Sequence, residues 1–292
     1  MKVETPHYTS ADVLYRDLIS WVMNTGEEVV ARGLQTRERT GAYFVLTNPR
    51  ARLISSASRK WSLPLALGEL CWHLRGDNFV APLKYYTERW ARYSDDGVHI
   101  RGSCYGRKIF SPSHNGSNRW QEVVALLRHD PNSRRAVLDL ANEGSDLIGS
   151  KDVSCVNAIQ FLVRDGCLDL FVFMRSNDLF IGLPYDMFFF TMLQEIMAVT
   201  LDRPVGHYHH IATSLHVYEN DFQRASEFCK SLDDSQSAMP ALMSTAGIEQ
   251  FLIAEARIRE GLAHDRAMLD DYWAPLADHL VGFCQGKVHK HR

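Results

Sequence analysis

The segment 184–201, PYDMFFFTMLQEIMAVTL, constrains this chain more than any other. Its apolar residues cover most faces of a helix, so the helix must be buried on most faces. Strand-like runs lie on both sides of it. AVLDLA at 136–141, VNAIQFLV at 156–163 and CLDLFVFMRS at 167–176 precede it, and the alternating GHYHHIATSLHVYEND at 206–221 follows. Strands and helices occur in separate runs, which argues for an α+β fold. No internal repeat, low-complexity stretch or linker is visible, so one domain over 1–292 is expected. With 292 residues, 46% of them hydrophobic, the chain is long enough to bury a sizeable core.

The flanking sequence fills in around that centre. Residues 9–34 read as an amphipathic helix capped by Thr9 or Ser10. ArgGluArgThrGly at 37–41 reads as a polar turn, and 42–55 as a strand pair around Asn48-Pro49. Pro64 fits the first turn of a helix ending near Gly76. A further helical segment covers 82–93, and 94–118 reads as loop. Another helix, 119–129, stops at Asp130-Pro131, and the chain beyond 221 is mostly helical.

The formal net charge of -3 does not favour a general nucleic-acid surface, so local arginines must carry any anion binding. No stretch is long and apolar enough to span a bilayer. The N-terminal MKVETPHYTSADVLYRD lacks a signal-peptide core, and a cytoplasmic protein is expected. Six cysteines (Cys71, Cys104, Cys155, Cys167, Cys229 and Cys284) show no CxxC pairing or zinc-ligand rhythm. They read as free thiols, one of which is available as a nucleophile.

Cys155 sits where a loop meets a strand, and taken alone it reads as a small core residue. Arg39, Arg134, Arg135 and the Arg175-Ser176 pair lie at turns or strand ends, where guanidinium groups can grip phosphate in bidentate fashion or simply be solvated. An arginine beside a thiol would favour the thiolate. Glu69 lies inside an apolar helix, where it must either pair with an arginine or line a cavity as an acid–base group. Asp186 opens the 184–201 helix, where it can satisfy free amides or face a ligand. His216 and Tyr218 share a strand face and can bind a sugar hydroxyl or each other. His207 and His209 also share a face, beside His210. No cysteine or acid stands at a familiar spacing from them, and no metal is expected.

Eight segments together resemble the folate-dependent thymidylate synthase family, in the family's order from about Arg37 to Asp221. They are ArgGluArgThrGly (37–41), GELCWHLRGD (68–77), the Trp90 region, CYGRK (104–108), DPNSRR (130–135), SCVNAIQF (154–161), RSNDLFIGLPYD (175–186) and HVYEND (216–221). The resemblance implies a large mixed β-sheet packed by helices, with one sheet face forming a homodimer interface. It implies Cys155 as the nucleophile for pyrimidine C6, with Arg39, Arg175 and Ser176 on the 5′-phosphate. Arg134 and Arg135 would reach that phosphate from the partner subunit. His216 and Tyr218 would hold the 3′-hydroxyl, and Asn177 would line the substrate site. Asp178 would contact the folate pterin or its water. Glu69 would organise proton transfers, with Trp90 and Tyr105 lining the cavity. The co-substrate implied is 5,10-methylenetetrahydrofolate.

Asp186 departs from the family pattern, which has Asn there. An Asn amide matches the O4/N3–H edge of uracil, whereas an ionised Asp offers acceptors suited to the N4 amine of cytosine. Asp here resembles the cytidylate 5-hydroxymethyltransferase branch of the family, which has phage and antibiotic-pathway members. That implies CMP or dCMP as substrate, with water replacing hydride at the last step. GFCQGKVHKHR at 282–292 is polar and basic where the family carries an apolar tail over the folate, which agrees with water entry. Met174, Val156 and Ser214 also replace polar family residues or an Asp. The competing readings are a thymidylate synthase acting on dUMP and a non-catalytic nucleotide- or RNA-binding relative.

Overall fold

A computed structural model of the protein describes residues 5–56, 59–112, 116–141, 147–230 and 238–290. Its strands, in chain order, are β1 (His7–Tyr8), β2 (Glu27–Ala31), β3 (Leu34–Leu46), β4 (Val137–Asp139), β5 (Val156–Arg164), β6 (Cys167–Met174), β7 (Asn177–Asp178) and β8 (Val205–Tyr218). The helices are α1 (Ala11–Thr25), α2 (Leu63–Leu74), α3 (Val80–Tyr86), α4 (Tyr105–Phe110), α5 (Arg119–His129), α6 (Leu183–Thr200), α7 (Phe222–Cys229), α8 (Ile248–Arg259) and α9 (Trp273–Lys290). The chain divides into two compact units. One comprises 1–61, 123–141 and 155–239, and the other 62–122, 142–154 and 240–292. None of the described helices is long and apolar enough to cross a membrane.

The first unit holds one mixed sheet in the order β1-β3-β8-β6-β5-β4, with β2 paired to β3 and β7 to β8. β8 is its spine, antiparallel to β3 and parallel to β6 and β7. Along β6 and β8 the residues alternate. Leu168, Leu170, Val172 and Met174 are buried with Tyr208, His210 and Ala212, while the intervening residues face outward. The buried face packs on α6. Met187, Phe188, Phe190, Met192 and Leu193 of this helix are wholly buried, each worth roughly 1.5–3 kcal/mol. Two buried polar residues of α6 make long-range contacts. Gln194 Nε2 donates to the Leu168 and His207 carbonyls, tying the helix to two strands at 2.9 and 3.0 Å. Glu195 forms a buried ion pair with Arg52.

The expected helix over 9–34 is shorter. Ser10 caps α1 as anticipated, its Oγ accepting from the Val13 amide. The helix stops at Thr25, before Gly26. Arg32 and Gly33 both take positive φ, 50° and 78°, and make a two-residue hairpin between β2 and β3. The expected turn at 37–41 is mid-strand in β3 for a tertiary reason. Arg37 donates to the Met23 carbonyl, Glu38 accepts from Ser214, and Arg39 donates to the Thr25 carbonyl. These partners satisfy a charged strand that its sequence alone reads as loop. The expected strand pair at 42–55 is one strand ending at Leu46. The 94–118 loop contains α4, and its residues 113–115 lie outside the described residues. In the C-terminal segment 282–292, residues 282–290 belong to α9, and 291–292 lie outside the described residues.

The second unit has a small core of Trp72, Val80, Leu83, Ile100 and Cys104, packed by Trp90 and Tyr93. Glu255 is buried there under Arg75, Arg259 and the Tyr86 hydroxyl, at 2.6, 2.9 and 2.7 Å. Gly106 is required, because a Cβ would lie 1.8 Å from the His73 carbonyl oxygen. Its amide approaches His73 Nδ1 at 3.2 Å, and the buried imidazole has its pKa pushed down to about 3.

Candidate active site

Strand register in the first unit gathers residues distant in sequence at one end of the sheet. Arg39 on β3 pairs with Leu215 on β8, and Leu215 pairs in turn with Asn177 on β7. One step along, Glu38 pairs with His216, and His216 with Asp178. The ArgGluArgThrGly, HVYEND and RSNDLFIGLPYD segments are thereby laid side by side.

Cys155 stands just before β5, half-buried. Its carbonyl accepts the Arg175 amide at 2.9 Å, and its Sγ lies 3.7 Å from Arg175 Nη2. A guanidinium at that place stabilises negative charge on sulfur. Arg175 is exposed, and a guanidinium can grip an anion through several N–H donors. Ser176 follows it, half-buried. Arg39 lays its guanidinium over the Trp21 ring at 5.1 Å. Its Nε is buried without a hydrogen-bond partner.

Asp186 lies in the first turn of α6, after Pro184 at the helix start. Its Oδ2 accepts from Asn177 Nδ2 at 2.8 Å. Gly182 makes room for that pair, since a Cβ would sit 2.9 Å from Asn177 Nδ2 and 3.2 Å from Asp186 Oδ2. Loss of water raises the Asp186 pKa to about 7, opposed by the Asn177 hydrogen bond and reinforced by the nearby Asp178 charge. The amide of Asn177 is oriented by this bond, so its Oδ1 is the end left over, and that oxygen is buried without a hydrogen-bond partner. Each residue thus has one acceptor oxygen outside this hydrogen bond.

Asp178 accepts the Phe180 amide at 2.7 Å. Desolvation raises its pKa to about 6 against the pull of backbone amides. His216 is buried enough that its pKa falls, although Glu38 pulls the other way. Its ring meets Tyr218 edge-on at 5.0 Å. The Tyr218 pKa is raised by burial, then by the Asp178 charge, with Cys155 among its further electrostatic neighbours. Arg134 and Arg135 are exposed just before β4, the edge strand, and Gln160 donates to the Arg134 carbonyl at 2.9 Å.

In the second unit, Glu69 Oε1 accepts the Trp90 indole N–H at 2.8 Å. Tyr105 stacks on His73 at 5.4 Å. Asp152, three residues before Cys155 in the chain, accepts the amides of Arg101, Gly102 and Ser103 and the Ser103 hydroxyl.

The chain belongs to the thymidylate synthase family, whose model matches residues 13–266. A relative within reach of direct comparison is the deoxyuridylate hydroxymethyltransferase of Bacillus phage SP01. It is 31% identical over 220 residues, which cover 72% of this chain and 57% of the relative. The chain thus matches a little over half the length of that protein.

Two residues escaped sequence reading. Glu38 lies beside His216 through the β3–β8 register and holds Ser214 at 2.6 Å. Arg59 donates to the Tyr15 hydroxyl at 2.7 Å and to the Phe180 carbonyl, and its charge acts on Asp178. Neither position has a local sequence signal, since both gain their place through strand pairing or a long-range contact. Asn177 was expected to line the substrate site, but its pairing with Asp186 was not anticipated.

Proposed function

We propose that the chain is a cytidylate 5-hydroxymethyltransferase, acting on CMP or dCMP as a cytoplasmic homodimer. The observation that carries the reading is the Asn177–Asp186 pair, with the Asn177 amide donating to the carboxylate at 2.8 Å. The unpaired Asn177 Oδ1 and the remaining Asp186 oxygen are acceptors, and the exocyclic amine of cytosine has two hydrogens to give. Uracil would bring O4 against the same oxygens.

The other residues take roles that follow from their chemistry. Cys155 adds through Sγ to C6 of the pyrimidine and drives electron density onto C5. Arg175 stabilises the attacking sulfur and, with Arg39 and Ser176, holds the 5′-phosphate. Arg134 and Arg135 complete the partner's phosphate site across the outer face of the sheet. His216 and Tyr218 hold the 3′-hydroxyl. Asp178 accepts from the N–H groups of the pterin, a fit for a carboxyl group kept from water. Bound 5,10-methylenetetrahydrofolate supplies one carbon at the oxidation level of formaldehyde. Glu69, oriented by the Trp90 indole, positions the water and proton needed at C5. Loss of the C5 proton and of tetrahydrofolate leaves an exocyclic methylene on the base; water adds there to give the hydroxymethyl group, and departure of the Cys155 thiolate from C6 restores the ring.

A second reading has a specific observation behind it. The phage relative is named for deoxyuridylate, and an Asp186 with a pKa near 7 is partly protonated at neutral pH and can then donate to O4. One assay separates the two. Purified protein is incubated with methylenetetrahydrofolate and CMP, dCMP or dUMP, and products are resolved by liquid chromatography with mass detection. The proposal expects 5-hydroxymethyl cytidylate and no dihydrofolate absorbance. Turnover of dUMP alone would establish the second reading. Dihydrofolate formation with dUMP would identify a methylating thymidylate synthase instead.

A further inference from the structure

We propose that Glu38 is a positioning residue: through the Ser214 hydroxyl it fixes His216 as the Nδ1–H tautomer and so restricts the sugar site to a nucleotide with a free 3′-hydroxyl. The inference rests on the reading of His216 and Tyr218 as the sugar-binding pair. Glu38 lies directly across from His216 in the β3–β8 register. Ser214 and His216 are two residues apart on β8, so their side chains share a face of the strand. The Ser214 hydroxyl donates to Glu38 Oε2 at 2.6 Å, and its oxygen lies 3.4 Å from His216 Nδ1.

The direction of each bond follows from what each group has to give. A carboxylate only accepts, so the single Ser214 hydrogen goes to Glu38. Toward His216 the same oxygen then only accepts, which requires the hydrogen on Nδ1. At 3.4 Å this second bond is weak, and its worth lies in direction rather than strength. The other tautomer would set a nitrogen lone pair against an oxygen lone pair. Burial lowers the His216 pKa, with the Glu38 charge and the Ser214 backbone pulling the other way. The ring is therefore neutral at physiological pH and carries one N–H. With that N–H on Nδ1, Nε2 presents a lone pair and accepts.

Tyr218 has the opposite polarity. The Arg32 side chain hydrogen-bonds it, and a guanidinium only donates, so the phenol oxygen accepts there and gives its own hydrogen onward. His216 and Tyr218, whose rings meet edge-on at 5.0 Å, thus offer one acceptor and one donor. A hydroxyl matches both, since it gives one hydrogen and accepts another. A 3′-phosphate has acceptors only and a charge of the same sign as Glu38, and a 3′-deoxy sugar leaves both partners unmet. The site thereby selects free mononucleotides over nucleotides esterified at the 3′ position.

The full chain is titrated by calorimetry with nucleotide pairs that differ only at the 3′ position. These are dCMP with 2′,3′-dideoxycytidine 5′-monophosphate, CMP with 3′-deoxycytidine 5′-monophosphate, and dUMP with its 3′-deoxy counterpart, so that neither the base nor the 2′ position decides the outcome. Loss of the 3′-hydroxyl should weaken binding to the wild type by about 10-fold. Glu38→Ala and Ser214→Ala should each reduce that factor to about 3-fold or less. Glu38→Gln, whose amide carbonyl still accepts from Ser214, should keep it. Nitrogen NMR of histidine-labelled protein, with His216 assigned by its loss in His216→Asn, should show Nδ1–H in the wild type and in Glu38→Gln, and a mixture of tautomers in Glu38→Ala. If His216→Asn abolishes the 3′-hydroxyl factor while Glu38→Ala and Ser214→Ala keep it, the positioning role is overturned and the sugar-site reading stands. If His216→Asn leaves the factor unchanged, the sugar-site reading fails and takes the inference with it. An Nε2–H tautomer in the wild type overturns the proposal whether or not the variants fold.

Discussion

Replacing Asp186 with Asn is the sharpest perturbation of the base site. In the wild type, Asp186 Oδ2 is committed to the Asn177 amide at 2.8 Å, so one carboxylate oxygen remains for the base. In Asp186→Asn the new carbonyl keeps the Asn177 donor and turns an NH2 group toward the substrate. The N4 amine of cytosine then meets a donor, and a buried donor left unsatisfied costs about 1–3 kcal/mol. The O4 of uracil gains a hydrogen bond worth about 1 kcal/mol. Together these shift the cytidylate/uridylate ratio of kcat/KM by roughly 2–4 kcal/mol, or about 30- to 1000-fold. The assay is competition between CMP and UMP, and between dCMP and dUMP, with both hydroxymethyl products quantified from one mixture. A ratio within about 3-fold of wild type would refute the pairing argument, since the smallest term alone, about 1 kcal/mol, is worth about 5-fold.

Further tests follow from the same geometry. The Asp186 pKa of about 7 places its ionisation in the working range, and above it the acceptor-only form dominates. The preference for cytidylate over uridylate should therefore rise from pH 6 to pH 8, and a flat ratio would show that Asp186 does not titrate in the site. Cys155→Ala should lower kcat by at least about 10^3-fold while nucleotide binding, followed by calorimetry, changes little, because the thiol supplies the covalent step rather than affinity. Arg52→Met removes the buried ion pair with Glu195 and should cost about 3–5 kcal/mol. Pairing it with Glu195→Leu should recover most of that loss in a denaturant titration.

The sequence by itself determined the buried helix at 184–201 and the strands around it, because apolar periodicity is written locally. It also carried the family, through segments whose order and wording survive without any knowledge of contacts. It misread residues 26–41, past the end of α1, because the signals there are tertiary. Arg32-Gly33 makes a hairpin without an Asn or Asp, and the charged 37–41 run becomes strand once Met23, Thr25 and Ser214 supply partners. Glu69 was open between an arginine partner and a cavity role, and the fold gave it the Trp90 indole. Strand register decided what no local pattern could. It put Arg39, Leu215 and Asn177 in one row, turned Asn177 onto Asp186, and set Glu38 beside His216. Side-chain chemistry is fixed residue by residue, but hydrogen-bond partners across a sheet depend on alignment between distant segments, and that alignment exists only in the folded chain.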